Sequence, residues 1–156
     1  MKIQNKSFVY LISPTKISDN SFFKSLELVF KSKKVSFFQL RLKNEKLSKK
    51  ILKNKIIGVT CHNSIRLAKK ALINGANYIA IGAFYKTKTK KVKFRAKPSI
   101  LRKIKKLSDN PVVAIGGINE KNYKKLLLNK ASFLAISGYI WNNNKYKPYE
   151  AIEKLK

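Results

Sequence analysis

The stretches Asn110–Asn119 (NPVVAIGGIN) and Ala131–Trp141 (ASFLAISGYIW) decide how this chain is read. Each is a short apolar run, rich in β-branched residues, that ends in Gly-Gly or Ser-Gly. That pattern predicts a buried parallel strand. Glycines at the strand end leave bare backbone N–H groups facing whatever lies beyond. Two such ends, separated by one helix, are the arrangement by which a βα barrel grips a phosphate.

Working outward, short apolar runs alternate with helical patterns along the whole chain. Strands are expected at Phe8–Ile12, Ser36–Leu40, Ile56–Thr60, Tyr78–Ile81, Val112–Ile115 and Phe133–Ile136. Asp19 is the expected cap of a helix with Phe22, Phe23, Leu26, Val29 and Phe30 on its apolar face. Asn63 is the expected cap of a second helix, ending near Gly75, and Pro98 opens a third. Asn119 is expected to cap a fourth, and Pro148 to open the last. Lys43–Lys53 is basic and only weakly amphipathic.

An internal repeat supports the alternation. Leu72–Gly82 (LINGANYIAIG) and Leu127–Ser137 (LLNKASFLAIS) match in character at each position, 55 residues apart (127 − 72). Two βα units of roughly 25–30 residues fit that interval. Alternating strands and helices imply an α/β fold with a parallel sheet, curled by right-handed crossovers into a TIM-barrel-like form. An eight-unit barrel needs about 200 residues or more. This chain has 156 and six strands, so an incomplete or distorted barrel with about six of eight units, in one domain over residues 1–156, is expected.

Composition narrows the function. The formal net charge is +29, yet the only arginines are Arg41, Arg66, Arg95 and Arg102. The remaining basic residues are lysines spread over every segment, without a face of interleaved arginines and aromatics. That argues against nucleic acid as a partner and for an anionic small molecule. No apolar run approaches the roughly 20 residues of a membrane span. The single cysteine, Cys61, excludes an internal disulfide, and a cytoplasmic location is expected.

In a βα barrel, chemistry sits where strands end. Gln39, Arg41 and Lys43 follow the second strand, and period-two spacing puts them on one side of an extended chain. They read either as one buried amide with two solvated bases or as groups facing the mouth. Thr60, Cys61, His62 and Asn63 follow the third strand. His62 is either a hydrogen-bonded loop histidine or a base, and Cys61 is a small buried hydrophobe. Thr87, Thr89 and Lys90 follow the fourth strand on a lysine-rich loop that reads equally as solvated surface. Gly116, Gly117, Ser137 and Gly138 complete the set. The seven acids fall in helices or turns, so neither a carboxylate pair nor a protein metal site is expected at the mouth.

Together these residues resemble the thiamine phosphate synthase family, including its thiazole tautomerase branch. The resemblance rests on YLISP (Tyr10–Pro14), QLRLK (Gln39–Lys43), IIGVTCHN (Ile56–Asn63), NYIAIGAFYKTKTKK (Asn77–Lys91), PVVAIGGIN (Pro111–Asn119) and FLAISGYI (Phe133–Ile140), in the family's order. It implies a (β/α)₈ transferase that joins an aminopyrimidine-methyl pyrophosphate to a thiazole phosphate with release of pyrophosphate, aided by magnesium. It also implies roles. Gln39, Arg41, Lys43 and Lys90 match the pyrophosphate side, and Thr60 takes the place of a serine near the reacting groups. Thr87 and Thr89 match the loop that holds thiazole phosphate. Gly117, Ile136 and Ser137, with the flanking Gly116 and Gly138, match its backbone cup. Among these, Arg41, Lys43, Thr60, His62 and Lys90 are the catalytic candidates. The family's third and fourth βα units, which carry its magnesium-binding aspartates, have no counterpart between Lys43 and Ile56. Two alternatives stand beside the synthase. One is a tautomerase using His62. The other is a non-catalytic phosphate-binding remnant whose open parallel edges favour self-association.

Overall fold

The computed structural model describes residues 8–12, 14, 20–39, 56, 58–87, 92 and 94–155. Six strands form one sheet: β1 (Val9–Ile12), β2 (Val35–Gln39), β3 (Gly58–Thr60), β4 (Tyr78–Gly82), β5 (Val112–Ile115) and β6 (Phe133–Ile136). All described pairings are parallel, in the order β2-β1-β6-β5-β4-β3. The α/β fold is as expected, and the barrel is not closed: β2 and β3 stand at opposite ends of the strand order. Each expected strand is present, with ends shifted by at most two residues.

Strand alternation divides the core. Leu11, Ile79, Val112, Ala114, Leu134 and Ile136 point to the outer face and are buried under the helices. Each large aliphatic side chain hidden there contributes about 1.5–3 kcal/mol. The neighbours Tyr10, Ile12, Tyr78, Val113, Ile115, Phe133 and Ala135 form a smaller cluster on the concave face. Phe37 of β2 joins it, with its ring edge-on to Phe133 at 4.8 Å and stacked on Tyr10 at 5.7 Å. The hydroxyls of Tyr10 and Tyr78 share a 3.2 Å hydrogen bond. Burial, then this bond, pushes the Tyr10 phenol well above its ordinary value.

The helices are α1 (Asn20–Lys31), α2 (Ile65–Ile73), α3 (Ser99–Lys105), α4 (Tyr123–Leu128), α5 (Gly138–Trp141) and α6 (Pro148–Glu153). Four sequence expectations need correction. Phe22, Leu26 and Val29 of α1 face inward, but Phe23 and Phe30 are exposed. Each lies one residue, and so about 100°, off the i, i+4, i+7 stripe. Asn63 does not cap α2. Ser64 does, its hydroxyl accepting the Leu67 N–H at 3.2 Å. Asn122, not Asn119, is the residue before α4. The short helix α5 follows β6 directly, where only a glycine-ended strand was expected. Asp19 and Lys43–Lys53 lie outside the described residues.

Candidate active site

The C-terminal ends of β1, β5 and β6 border a cleft of about 380 Å³. Gly116 and Gly117 wall one side, with Ile118 and Asn119. Ile136, Ser137, Gly138 and Tyr139 wall another. Lys86 and Thr87 come from the segment after β4, and Ile12 from the end of β1. The sequence-selected glycines, Ile136, Ser137 and Thr87 thus meet at one place. No carboxylate is among the described lining residues. Hydroxyls, amides, a lysine and bare backbone suit phosphate oxygens.

The glycines are demanded by conformation and by space. Gly116 has φ +101° and Gly117 has φ +66°, which side chains of the L series rarely adopt. A Cβ on Gly116 would run into Ala83, and one on Gly117 into the Lys86 carbonyl. The chain after β4 is pinned against them. Phe84 N–H donates to the Ile115 carbonyl at 3.2 Å and Tyr85 N–H to the Gly116 carbonyl at 3.1 Å.

Asn122 fixes the other side of this loop. Its Oδ1 accepts the Asn119 N–H at 2.9 Å, and its Nδ2 donates to the Gly117 carbonyl at 3.0 Å. Tyr85 in turn donates its hydroxyl to the Asn122 carbonyl at 3.3 Å. Sequence reasoning missed Asn122. The only available signal was the Asn-x-x-Asn spacing after the glycines, which reads locally as helix capping.

It also missed Glu120. The turn after β5 carries this acid toward the mouth, where it accepts a 2.5 Å hydrogen bond from the Tyr139 hydroxyl. Burial, then the Glu120 bond and charge, raises the Tyr139 phenol well above its ordinary value.

The other candidates fall elsewhere. Gln39 is the last residue of β2. Thr60 ends β3, and His62 follows it, exposed, with φ 52° and its carbonyl accepting the Gly82 N–H at 2.9 Å. Neither Thr60 nor His62 lines the cleft. Cys61 is fully buried, and burial raises its thiol. Arg41, Lys43, Thr89 and Lys90 lie outside the described residues. No group of three or more His, Cys, Asp or Glu side chains suited to a metal ion occurs among the described residues. The described donor set does not fit a magnesium site made of protein carboxylates. No described helix is long and apolar enough to cross a membrane.

The family described as thiamine monophosphate synthase matches residues 44–140. A thiamine-phosphate synthase from Pelagibacter ubique is 54% identical over 201 aligned positions, covering 97% of this chain and 97% of the relative. That span exceeds the chain by 45 positions (201 against 156), so at least that many have no residue here. A thiamine-phosphate synthase from Rhodospirillum centenum is 46% identical over 88 residues, covering 56% of this chain and 42% of the relative. In that match the chain spans less than half the relative's length. Thiamine phosphate pyrophosphorylase from Pyrococcus furiosus has a similar structure, with TM-score 0.67 and 22% identity, covering 99% of this chain and 96% of that one. The corresponding protein from Bacteroides thetaiotaomicron gives TM-score 0.70 at 14% identity, with 95% of both chains covered. The two structures speak to the fold alone. The sequence relatives are named as synthases and do not favour the tautomerase reading. By its matched span, its identity to these relatives and its glycine-walled cleft, the chain belongs to the thiamine monophosphate synthase family.

Proposed function

We propose that this chain binds a thiazole phosphate in the cleft and joins it to an aminopyrimidine-methyl pyrophosphate. The observation that carries this reading is the meeting of Gly116-Gly117, Ser137-Gly138 and Thr87 around one cleft with no carboxylate among its described lining residues. The bond from the pyrimidine methylene carbon to the pyrophosphate oxygen breaks first. The thiazole nitrogen then captures the cation-like carbon. Gly117, Ile136, Ser137 and Thr87 hold the thiazole phosphate, with Thr89 on the same loop. Gln39, Arg41, Lys43 and Lys90 serve the pyrophosphate. Fixed positive charge there stabilises negative charge as it grows on the leaving group. Thr60 stands near the reacting groups. The described residues do not supply a carboxylate set for magnesium.

The same reading holds that the family's third and fourth βα units are absent between residues 43 and 56. The 45-position excess in the alignment and the β2 and β3 ends of the strand order support it. The substrates are phosphorylated small molecules in the cytoplasm, and the open sheet ends favour self-association. The test mixes purified protein with both substrates, with magnesium or with a chelator, and measures thiamine phosphate. Product that Arg41→Ala abolishes supports the synthase. Absence of product with thiazole phosphate still bound identifies a phosphate-binding remnant.

A further inference from the structure

We infer that the Tyr139–Glu120 pair positions the cleft, acting as a cross-brace between the glycine loop after β5 and helix α5 after β6. The inference rests on the reading of the cleft as the thiazole-phosphate site. The ladder between β5 and β6 pairs Ile115 with Ala135 at its mouth end. Beyond it the chain leaves the sheet on both sides, through Gly116–Glu120 after β5 and through Ser137–Tyr139 after β6. Tyr139 lines the cleft, and its hydroxyl reaches across to the Glu120 carboxylate at 2.5 Å. The Tyr139 backbone is tied on its own side as well, because Asn143 Nδ2 donates to the Tyr139 carbonyl at 3.0 Å. Asn143 Oδ1 in turn accepts the Lys145 and Tyr146 N–H groups at 2.9 and 3.2 Å. Glu120 is separated by one residue from Ile118 and follows Asn119, both cleft-lining, so its position sets where that wall stands. A charge-assisted bond of this length is among the stronger side-chain contacts.

The brace also deals with the charge of Glu120. A carboxylate turned toward an anion site opposes binding. Here the phenol of Tyr139 lies at the cleft, and the acid behind it is engaged by the phenol proton. Both effects act on binding rather than on the bond-breaking step, which makes the pair a positioning device and not a catalytic one.

The experiment measures thiazole phosphate binding by calorimetry for the full chain and for Tyr139→Phe, Glu120→Ala, Glu120→Gln and the double variant Y139F/E120A. Circular dichroism verifies that each variant is folded. Tyr139→Phe and Glu120→Ala are each expected to weaken binding by about tenfold, the scale of one charge-assisted hydrogen bond. The double variant should be no weaker than either single one, because both remove the same bond. Glu120→Gln keeps an acceptor without the charge and should bind between the unaltered chain and Glu120→Ala. Where product forms, the single variants should raise KM for thiazole phosphate and leave kcat within about twofold. Folded Tyr139→Phe and Glu120→Ala with unaltered affinity, or losses that add in the double variant, would overturn the brace. An unaltered chain that binds no thiazole phosphate would instead overturn the reading of the cleft.

Discussion

At the scale of single residues, the cleft depends on backbone shapes that few side chains tolerate. Gly117 combines φ +66° with a carbonyl packed where a Cβ would sit. Gly117→Ala should therefore cost about 2 kcal/mol or more, since the left-handed region alone costs roughly 1–2 kcal/mol. Urea unfolding gives that cost, and calorimetry should show thiazole phosphate binding lost with it. Asn122→Ala removes two hydrogen bonds to backbone groups of the same loop. About 1–3 kcal/mol of stability should go with them. The glycines could be found in the sequence because a glycine-ended apolar run recurs one helix later, where a βα barrel holds a phosphate. Asn122 could not, because its partners, Gly117 and Asn119, are fixed by where the chain turns after β5. Tyr139 and Glu120 are 19 positions apart, and no local pattern links them.

At the scale of elements, strands were easier to read than helix ends. Val112–Ile115 and Phe133–Ile136 are found at the expected positions, because an unbroken apolar run between turn residues leaves little choice of register. Helix caps are chosen by fine geometry among neighbouring polar residues, so Asn63 and Ser64 look alike in sequence. The structure assigns the cap to Ser64. Ser64→Ala should cost about 1 kcal/mol, whereas Asn63→Ala should leave thermal stability nearly unchanged. The strands themselves are held by the outer layer. Leu134 is fully buried, and Leu134→Ala should cost about 2–5 kcal/mol in urea unfolding.

At the scale of the whole molecule, the concave face and the net charge set the response to solvent. Burial raises the phenols of Tyr10, Tyr85 and Tyr139 above the ordinary value of 10.0. Below pH 10.0 both folded and unfolded chains keep these protons, and the full contribution is present. Above it the unfolded chain releases them first, so fewer protons are bound in the unfolded state and stability falls as pH rises. Urea midpoints should decline between about pH 9.5 and 11, and Tyr10→Phe should flatten the decline. A net charge of +29 draws anions to the cleft. Raising ionic strength from about 0.01 to 0.15 M, which shortens the screening length from about 30 to 8 Å, should weaken thiazole phosphate binding. The sequence by itself determined the alternation of strands and helices, the parallel sheet and the glycine walls, because periodicity and backbone freedom are local properties. Only the tertiary structure decided that β2 and β3 stand at the ends of an unclosed sheet. Only it joined Asn122 to the glycine loop and brought Glu120 under Tyr139. Those outcomes depend on which distant groups share one volume, and that is settled when the chain packs.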